Sequence, residues 1–156
     1  MIQIVHSATD EPIFHLHAGD ASYILSVFHG MVLHLYSGPA ISDDDVEDLL
    51  VRITHDSVIP LPGHIKENWF SCDIAPFEYH GFGTGDFRPS AIMAADLSAQ
   101  TGCSPSVSVH YVSHTILRGK PVLDAFPAIH AEDEDCETLI LHCICNRLDH
   151  LFQGAA

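Results

Sequence analysis

Apolar and polar residues alternate through much of the first forty positions, and a two-residue period predicts β-strands. From Pro12 to Ala18, Ile13, His15 and His17 fall on one face, with Phe14 and Leu16 on the other. Gly19-Asp20 predicts a turn. Tyr23 to Phe28 is rich in β-formers, His29-Gly30 fits a two-residue hairpin turn, and Met31 to Tyr36 alternates until Ser37-Gly38-Pro39 stops it. The period then changes. Ser42 with Asp45 makes a capping box, and Val46, Leu49, Leu50 and Ile53 follow at helical spacing, so one short helix is predicted at about 43–53. Pro60, Pro62 and Gly63 predict an irregular loop over 54–68. Alternation returns from Val107 to Leu117 and from Glu137 to Asn146, on either side of the turn Arg118-Gly119-Lys120-Pro121. Short strands separated by turns, with one helix, predict an all-β chain folded as an antiparallel β-sandwich. The whole of 1–156 is read as one domain.

Composition sharpens this picture. With 156 residues, 47% of them apolar, the chain can bury a core. It is too short for a (β/α)₈ barrel, which needs about 250 residues. Six Lys+Arg against 21 Asp+Glu give a net charge of −15. That excludes the basic surface needed for nucleic acid and disfavours anionic membranes. The carboxylates concentrate in two runs, residues 43–48 and 132–137, which are read as solvated faces. No basic and apolar leader is visible at the N-terminus, and five cysteines are an odd number. Reduced thiols and a cytoplasmic location are the expectation.

The densest segment is Trp69–Ile92, WFSCDIAPFEYHGFGTGDFRPSAI. Phe70, Ser71, Asp73, Pro76, Glu78, Tyr79, Gly83, Asp86, Phe87, Arg88, Pro89 and Ala91 stand at the spacing FS-x-D-x-x-P-x-EY-x-x-x-G-x-x-DFRP-x-A. This run resembles the N-terminal domain of bacterial glycoside hydrolase family 36 α-galactosidases. The resemblance extends in order through Phe14-His15-Leu16, Ser22-Tyr23 and His34-Leu35-Tyr36-Ser37-Gly38. It continues at Tyr111, Ser113-His114, Ile116, Gly119-Lys120-Pro121, Leu123, Pro127-Ala128 and Glu137-Thr138-Leu139. It implies a supersandwich-like fold, a homo-oligomer, and an enzyme whose two catalytic carboxylates lie on a barrel beyond this domain. The chain is therefore expected to be a truncated, non-catalytic piece, with no catalytic residue of its own, no cofactor and no metal. Its expected partners are the remainder of such an enzyme or neighbouring subunits, and an α-galactoside sugar.

In tetrameric members of that family the loop after the HLY strand helps close a neighbouring subunit's sugar pocket. The resemblance thus makes residues 51–69 the substrate-loop candidate, with Arg52, His55, Asp56 and Trp69 supplying polar and aromatic chemistry. Trp69 is equally readable as a core or interface aromatic. Glu78, Asp86 and Arg88 are structural-motif candidates. Asp86 and Arg88, two apart on a strand, would share a face and bind sugar hydroxyls, form a structural ion pair, or pin the Gly81–Gly85 loop through backbone hydrogen bonds. Two other readings compete: a stand-alone carbohydrate-binding module, and a metal-binding β-protein built on His15 with His17 or Cys143 with Cys145. C-x-x-C pairs are absent, and Cys143 and Cys145 are expected to be buried small residues.

Overall fold

The computed structural model describes residues 1–44, 46–52, 67, 69–83, 87–93, 106–121 and 135–147. Four strands, β1 (Ile2–His6), β2 (Pro12–Ala18), β3 (Ala21–Phe28) and β4 (Met31–Pro39), pair in chain order as an antiparallel meander. β5 (Val107–Arg118) and β6 (Glu137–Arg147) form a second, two-stranded antiparallel sheet. β2 to β6 stand where the alternation predicts them, except that β4 does not stop at Ser37-Gly38-Pro39: those residues stay in the strand, paired with Tyr23, Ser22 and Ala21 of β3. β1 was not separately predicted, because IQIVH offers too short a pattern beside the terminus. It is held by register to β2, Ile2 opposite Leu16 through His6 opposite Pro12.

The β3–β4 connection is a two-residue turn in which both residues have positive φ, 50° at His29 and 76° at Gly30. That twist matches the flanking strands, and histidine is among the residues that tolerate the left-handed region. The Glu11 carboxylate fastens the turn, accepting the His29 N–H at 3.1 Å and the Gly30 N–H at 3.2 Å.

The alternation has meaning on both faces of the four-stranded sheet. On one side Phe14, Leu25, Val27 and Val32 are buried, and Ile4, Leu16, Tyr23, Tyr111, Leu139 and Leu141 pack against them. This is the contact between the two sheets, which makes the molecule a β-sandwich. On the other side Ile13 and Ile24 bury Val46. Met31 and Leu33 bury Leu50, Phe70, Cys72 and Ala75. A bulge between Ile24 and Leu25 of β3 leaves Leu35 as the extra residue on β4. Leu35 consequently touches both clusters of this second face.

The predicted helix is a single 3₁₀ turn, Val46–Leu49, closed by the Leu50 N–H on the Glu47 carbonyl at 3.2 Å. Asp45, the far half of the capping box, lies outside the described residues, as does Ile53. Packing explains the shortness. Val46 and Leu49 belong to the Ile13–Ile24 cluster, whereas Leu50 belongs to the Met31–Leu33 cluster. One turn spans that gap, and Val51 beyond it is exposed.

The acidic run is less solvated than its composition suggests. Asp44 and Asp48 are exposed, but Asp43 bonds to His15 and Glu47 accepts the Ala8 N–H at 3.0 Å. Cys143 and Cys145 are exposed, not buried, because they lie on the part of β6 beyond Leu139 and Leu141, the β6 residues that pack on the first sheet. Burial and the neighbouring Cys145 still push the Cys143 thiol up. Among the described residues no helix is long and apolar enough to cross a membrane.

The segment 70–82 closes the edge of β4 and reaches β5. The His34 N–H donates to the Pro76 carbonyl at 2.7 Å, and the Glu78 N–H to the Val32 carbonyl at 3.0 Å. Farther on, the Val107 N–H donates to the Phe82 carbonyl at 2.7 Å. An edge strand that would otherwise present free backbone groups is thereby covered.

Candidate functional site

Where β3, the 3₁₀ turn and the segment entering Phe70 meet, they enclose a cleft of about 220 Å³ lined in part by Phe28, Glu47, Leu50, Arg52, Glu67 and Trp69. Trp69 is half-buried. Its indole lies 4.9 Å from the Phe28 ring and 6.0 Å from Phe70, and the Arg52 guanidinium sits 5.6 Å from its centroid. Arg52 also reaches Glu47 at 3.6 Å. Glu67 accepts from the His29 ring at 2.9 Å, which ties the segment before Trp69 to the β3–β4 turn. A planar cation over an aromatic face is worth about 0.5–1 kcal/mol at an exposed position, enough to orient both side chains.

The fold therefore joins Arg52 and Trp69 at one cleft, although sixteen positions separate them in the chain. His55 and Asp56, the other two substrate-loop candidates, lie outside the described residues. Glu47 and Glu67 were not singled out from sequence. Glu47 was hidden inside an acidic run, and the partner of Glu67 is distant in the chain. The cleft can offer hydroxyl-binding groups and an aromatic edge. Among the described residues its carboxylates are Glu47, which bonds to the Ala8 N–H and reaches Arg52, and Glu67, which bonds to His29.

The structural-motif candidates lie elsewhere. Glu78 accepts the Tyr23 hydroxyl at 2.6 Å and faces the His34 ring at 3.6 Å. Arg88 lies in a bend, not a strand; it donates to the Ala75 carbonyl at 2.5 Å and its guanidinium is 5.9 Å from the Phe77 centroid. Asp86 lies outside the described residues. Glu78 thus ties its segment to the sheet through Tyr23, and Arg88 bonds back to Ala75.

The Tyr23 phenol is pushed up to about 12, first by burial, then by its hydrogen bond to Glu78 and the charge of that carboxylate. A raised phenol favours the neutral form in the fold. Its contribution is complete below the unfolded value of about 10 and is lost as pH rises through the folded value. Tyr23→Phe is expected to flatten the alkaline loss of stability between about pH 10 and 12. Ultraviolet phenolate titration should also show one late-titrating tyrosine fewer. An unchanged alkaline limb would refute the Tyr23–Glu78 bond.

Comparison with known proteins adds the last observation. A family description, the glycosyl hydrolase family 36 N-terminal domain, matches residues 30–146. Alpha-galactosidase AgaA of Geobacillus stearothermophilus is 34% identical over 128 residues, covering 81% of this chain and 17% of that protein. Alpha-galactosidase 1 of Pediococcus pentosaceus is 34% identical over 132 residues, covering 83% of this chain and 17% of the relative. Among solved structures, the family 36 α-galactosidase AgaB of G. stearothermophilus superposes with a TM-score of 0.70 at 30% identity, over 90% of this chain and 18% of that one. An AgaA variant solved in complex with raffinose superposes at 0.69 with 31% identity, over 84% of this chain and 18% of that one. The chain spans about a sixth of the length of the curated relatives it matches.

Proposed function

We infer the role of this chain from one premise: it belongs to the glycosyl hydrolase family 36 N-terminal domain family. The proposal is a non-catalytic domain of an α-galactosidase acting on terminal α-galactosides, in which this sandwich serves assembly and helps close an active site on a neighbouring subunit. The observation that carries it is the ordered match through most of this chain to about a sixth of much longer α-galactosidases. The placement of apolar side chains supports an assembly role. Tyr79, Phe82 and Phe87 of the densest segment are exposed, Phe87 at 86%. Exposed aromatics gathered on one short segment mark a surface that another part of an assembly covers.

The cleft supports the second half of the proposal. Arg52 can donate a forked pair of hydrogen bonds to sugar hydroxyls, and Trp69 fixes its position. One face of the indole already carries Arg52, so the guanidinium is the group offered outward.

Two measurements test this. The 156-residue chain alone is expected to leave an aryl α-galactoside at background hydrolysis, and turnover at a rate typical of enzymes, 1 per second or more by order of magnitude, would overturn the non-catalytic reading. Joined in frame to the barrel of AgaA in place of that enzyme's own domain, the chain is expected to support raffinose hydrolysis. In that chimaera Arg52→Ala should raise KM by about 2–10-fold, the loss of one hydrogen bond, with kcat little changed. An active chimaera whose KM ignores Arg52 would remove the cleft from the pocket-closing role and leave assembly alone.

A further inference from the structure

On the face of the sheet opposite β5 and β6, three side chains from two segments converge. His15 and His17 are two apart on β2 and therefore share a face. Their rings stack with centroids 3.7 Å apart. Asp43, 28 residues from His15 and on the connector that leaves β4, brings one carboxylate oxygen to both. Oδ1 lies 2.6 Å from His15 Nδ1 and 3.5 Å from His17 Nε2. One donor atom from each residue falls within 4.8 Å of the other two.

We propose that His15 Nδ1, His17 Nε2 and Asp43 Oδ1 form a binding site for one first-row divalent transition-metal ion of the zinc class. The donor set suits it, since two imidazole nitrogens and one carboxylate oxygen favour such ions over calcium or magnesium, which take oxygen. The surroundings suit it as well. A metal-bound imidazole is held by a hydrogen bond from its other nitrogen. His15 Nε2 lies 2.7 Å from Ser22 Oγ, a buried hydroxyl that also accepts the Ile41 N–H at 3.1 Å. With Nε2–H donated to Ser22, Nδ1 is the nitrogen of His15 that faces Asp43 and His17. Gln3 adds an amide oxygen 3.0 Å from His17 Nε2 at the rim.

Access and distances agree. His15 is fully buried, but the side chains of His17 and Asp43 are 25% and 30% exposed, so an ion and its waters can enter from that side. Ligand atoms around a tetrahedral zinc at about 2.0–2.1 Å stand about 3.3 Å apart. The His17–Asp43 pair is already near that spacing. The His15–Asp43 pair sits at hydrogen-bond distance and must open by about 0.7 Å, a movement the half-exposed Asp43 side chain can make. Binding releases the proton shared between His15 Nδ1 and Asp43 to solvent. The net charge of −15 favours a cation throughout.

Ser22, His15 and Asp43 also stand in the order of a nucleophile, a base and its orienting acid. Ser22 is only 2% exposed and its oxygen is taken by the Ile41 N–H, so no substrate carbonyl can reach it. A bound ion would instead fasten the Asp43 connector onto β2. That connector leads directly to Glu47, Leu50 and Arg52 of the cleft.

The test is zinc(II) titrated into the full 156-residue chain by calorimetry, with metal analysis after dialysis and a thermal melt. One ion per chain is expected, with a Tm raised by several degrees at zinc about a hundredfold above Kd. His17→Ala and Asp43→Asn should each weaken binding by at least about tenfold. Both positions are half-exposed and outside the hydrophobic clusters, so these variants keep the fold. His142→Ala, an exposed histidine bonded to Thr115, should bind as the parent does. Cobalt(II) should give visible bands without thiolate charge transfer. Absence of stoichiometric zinc, parental affinity in both cluster variants, or a thiolate band pointing to Cys143 and Cys145 would each overturn the site.

Discussion

Phe14→Ala is expected to lower the stability of this chain by about 3–5 kcal/mol, the range for removing a large buried aromatic from a core. Phe14 is wholly buried. On its own sheet it packs with Leu25, Val27 and Val32. Across the sandwich it meets His114 edge-on at 4.9 Å and Tyr111 at 6.3 Å. Its removal opens a cavity at the junction of the two sheets. A two-stranded sheet is at best marginal by itself, so β5 and β6 depend on this contact. Against a total stability of about 5–15 kcal/mol the loss is a large share. Urea unfolding should show a much lower midpoint with a similar slope. Phe87→Ala, at a residue 86% exposed, should stay within about 0.5 kcal/mol of the parent. A Phe14 variant as stable as the Phe87 variant would show that the two sheets do not pack through this ring.

Gly81→Ala is expected to detach the segment 70–82 from β5. A Cβ at this position would stand 1.8 Å from the Val107 carbonyl oxygen and 2.7 Å from its carbon. Both are backbone atoms at the start of a strand, so no side chain can swing aside. The two backbones must part, and the hydrogen bond from the Val107 N–H to the Phe82 carbonyl goes with them. The cost should be at least the 1–3 kcal/mol, by order of magnitude, of an overpacked core. Gly119→Ala is the control. Its φ is +81° but nothing lies within 4 Å of the added carbon, so only the left-handed backbone matters, at about 1–2 kcal/mol. Hydrogen exchange separates the two: the Val107 amide should lose protection in the first variant and keep it in the second. Equal protection in both would mean that Gly81 is not pressed against β5.

Much of this architecture could be read before any fold was known. Ile13 and Phe14 were assigned to opposite faces by period alone, and they are buried in different clusters. The His29-Gly30 turn was legible because few dipeptides tolerate two positive φ values in succession. The candidate site was legible only in part. Arg52 and Trp69 were named for their chemistry, but nothing local shows that they touch. Composition treats Glu47 and Asp48 alike, whereas the 3₁₀ turn leaves Asp48 exposed and brings Glu47 to the Ala8 N–H. Cys143 and Cys145 were expected inside on residue type, yet the packing contact across the sandwich rests on Leu139 and Leu141.

The order of apolar and polar residues thus determined which stretches extend, where they turn and which side chains share a face, since these depend on backbone geometry over a few neighbours. The spacing of motif residues determined the family. Only the folded chain decided that Arg52 meets Trp69, that Asp43 meets His15 and His17, and that Gly81 lies against Val107. Each of those contacts joins residues far apart along the chain, and such distances close only when two faces of one sheet are buried at once.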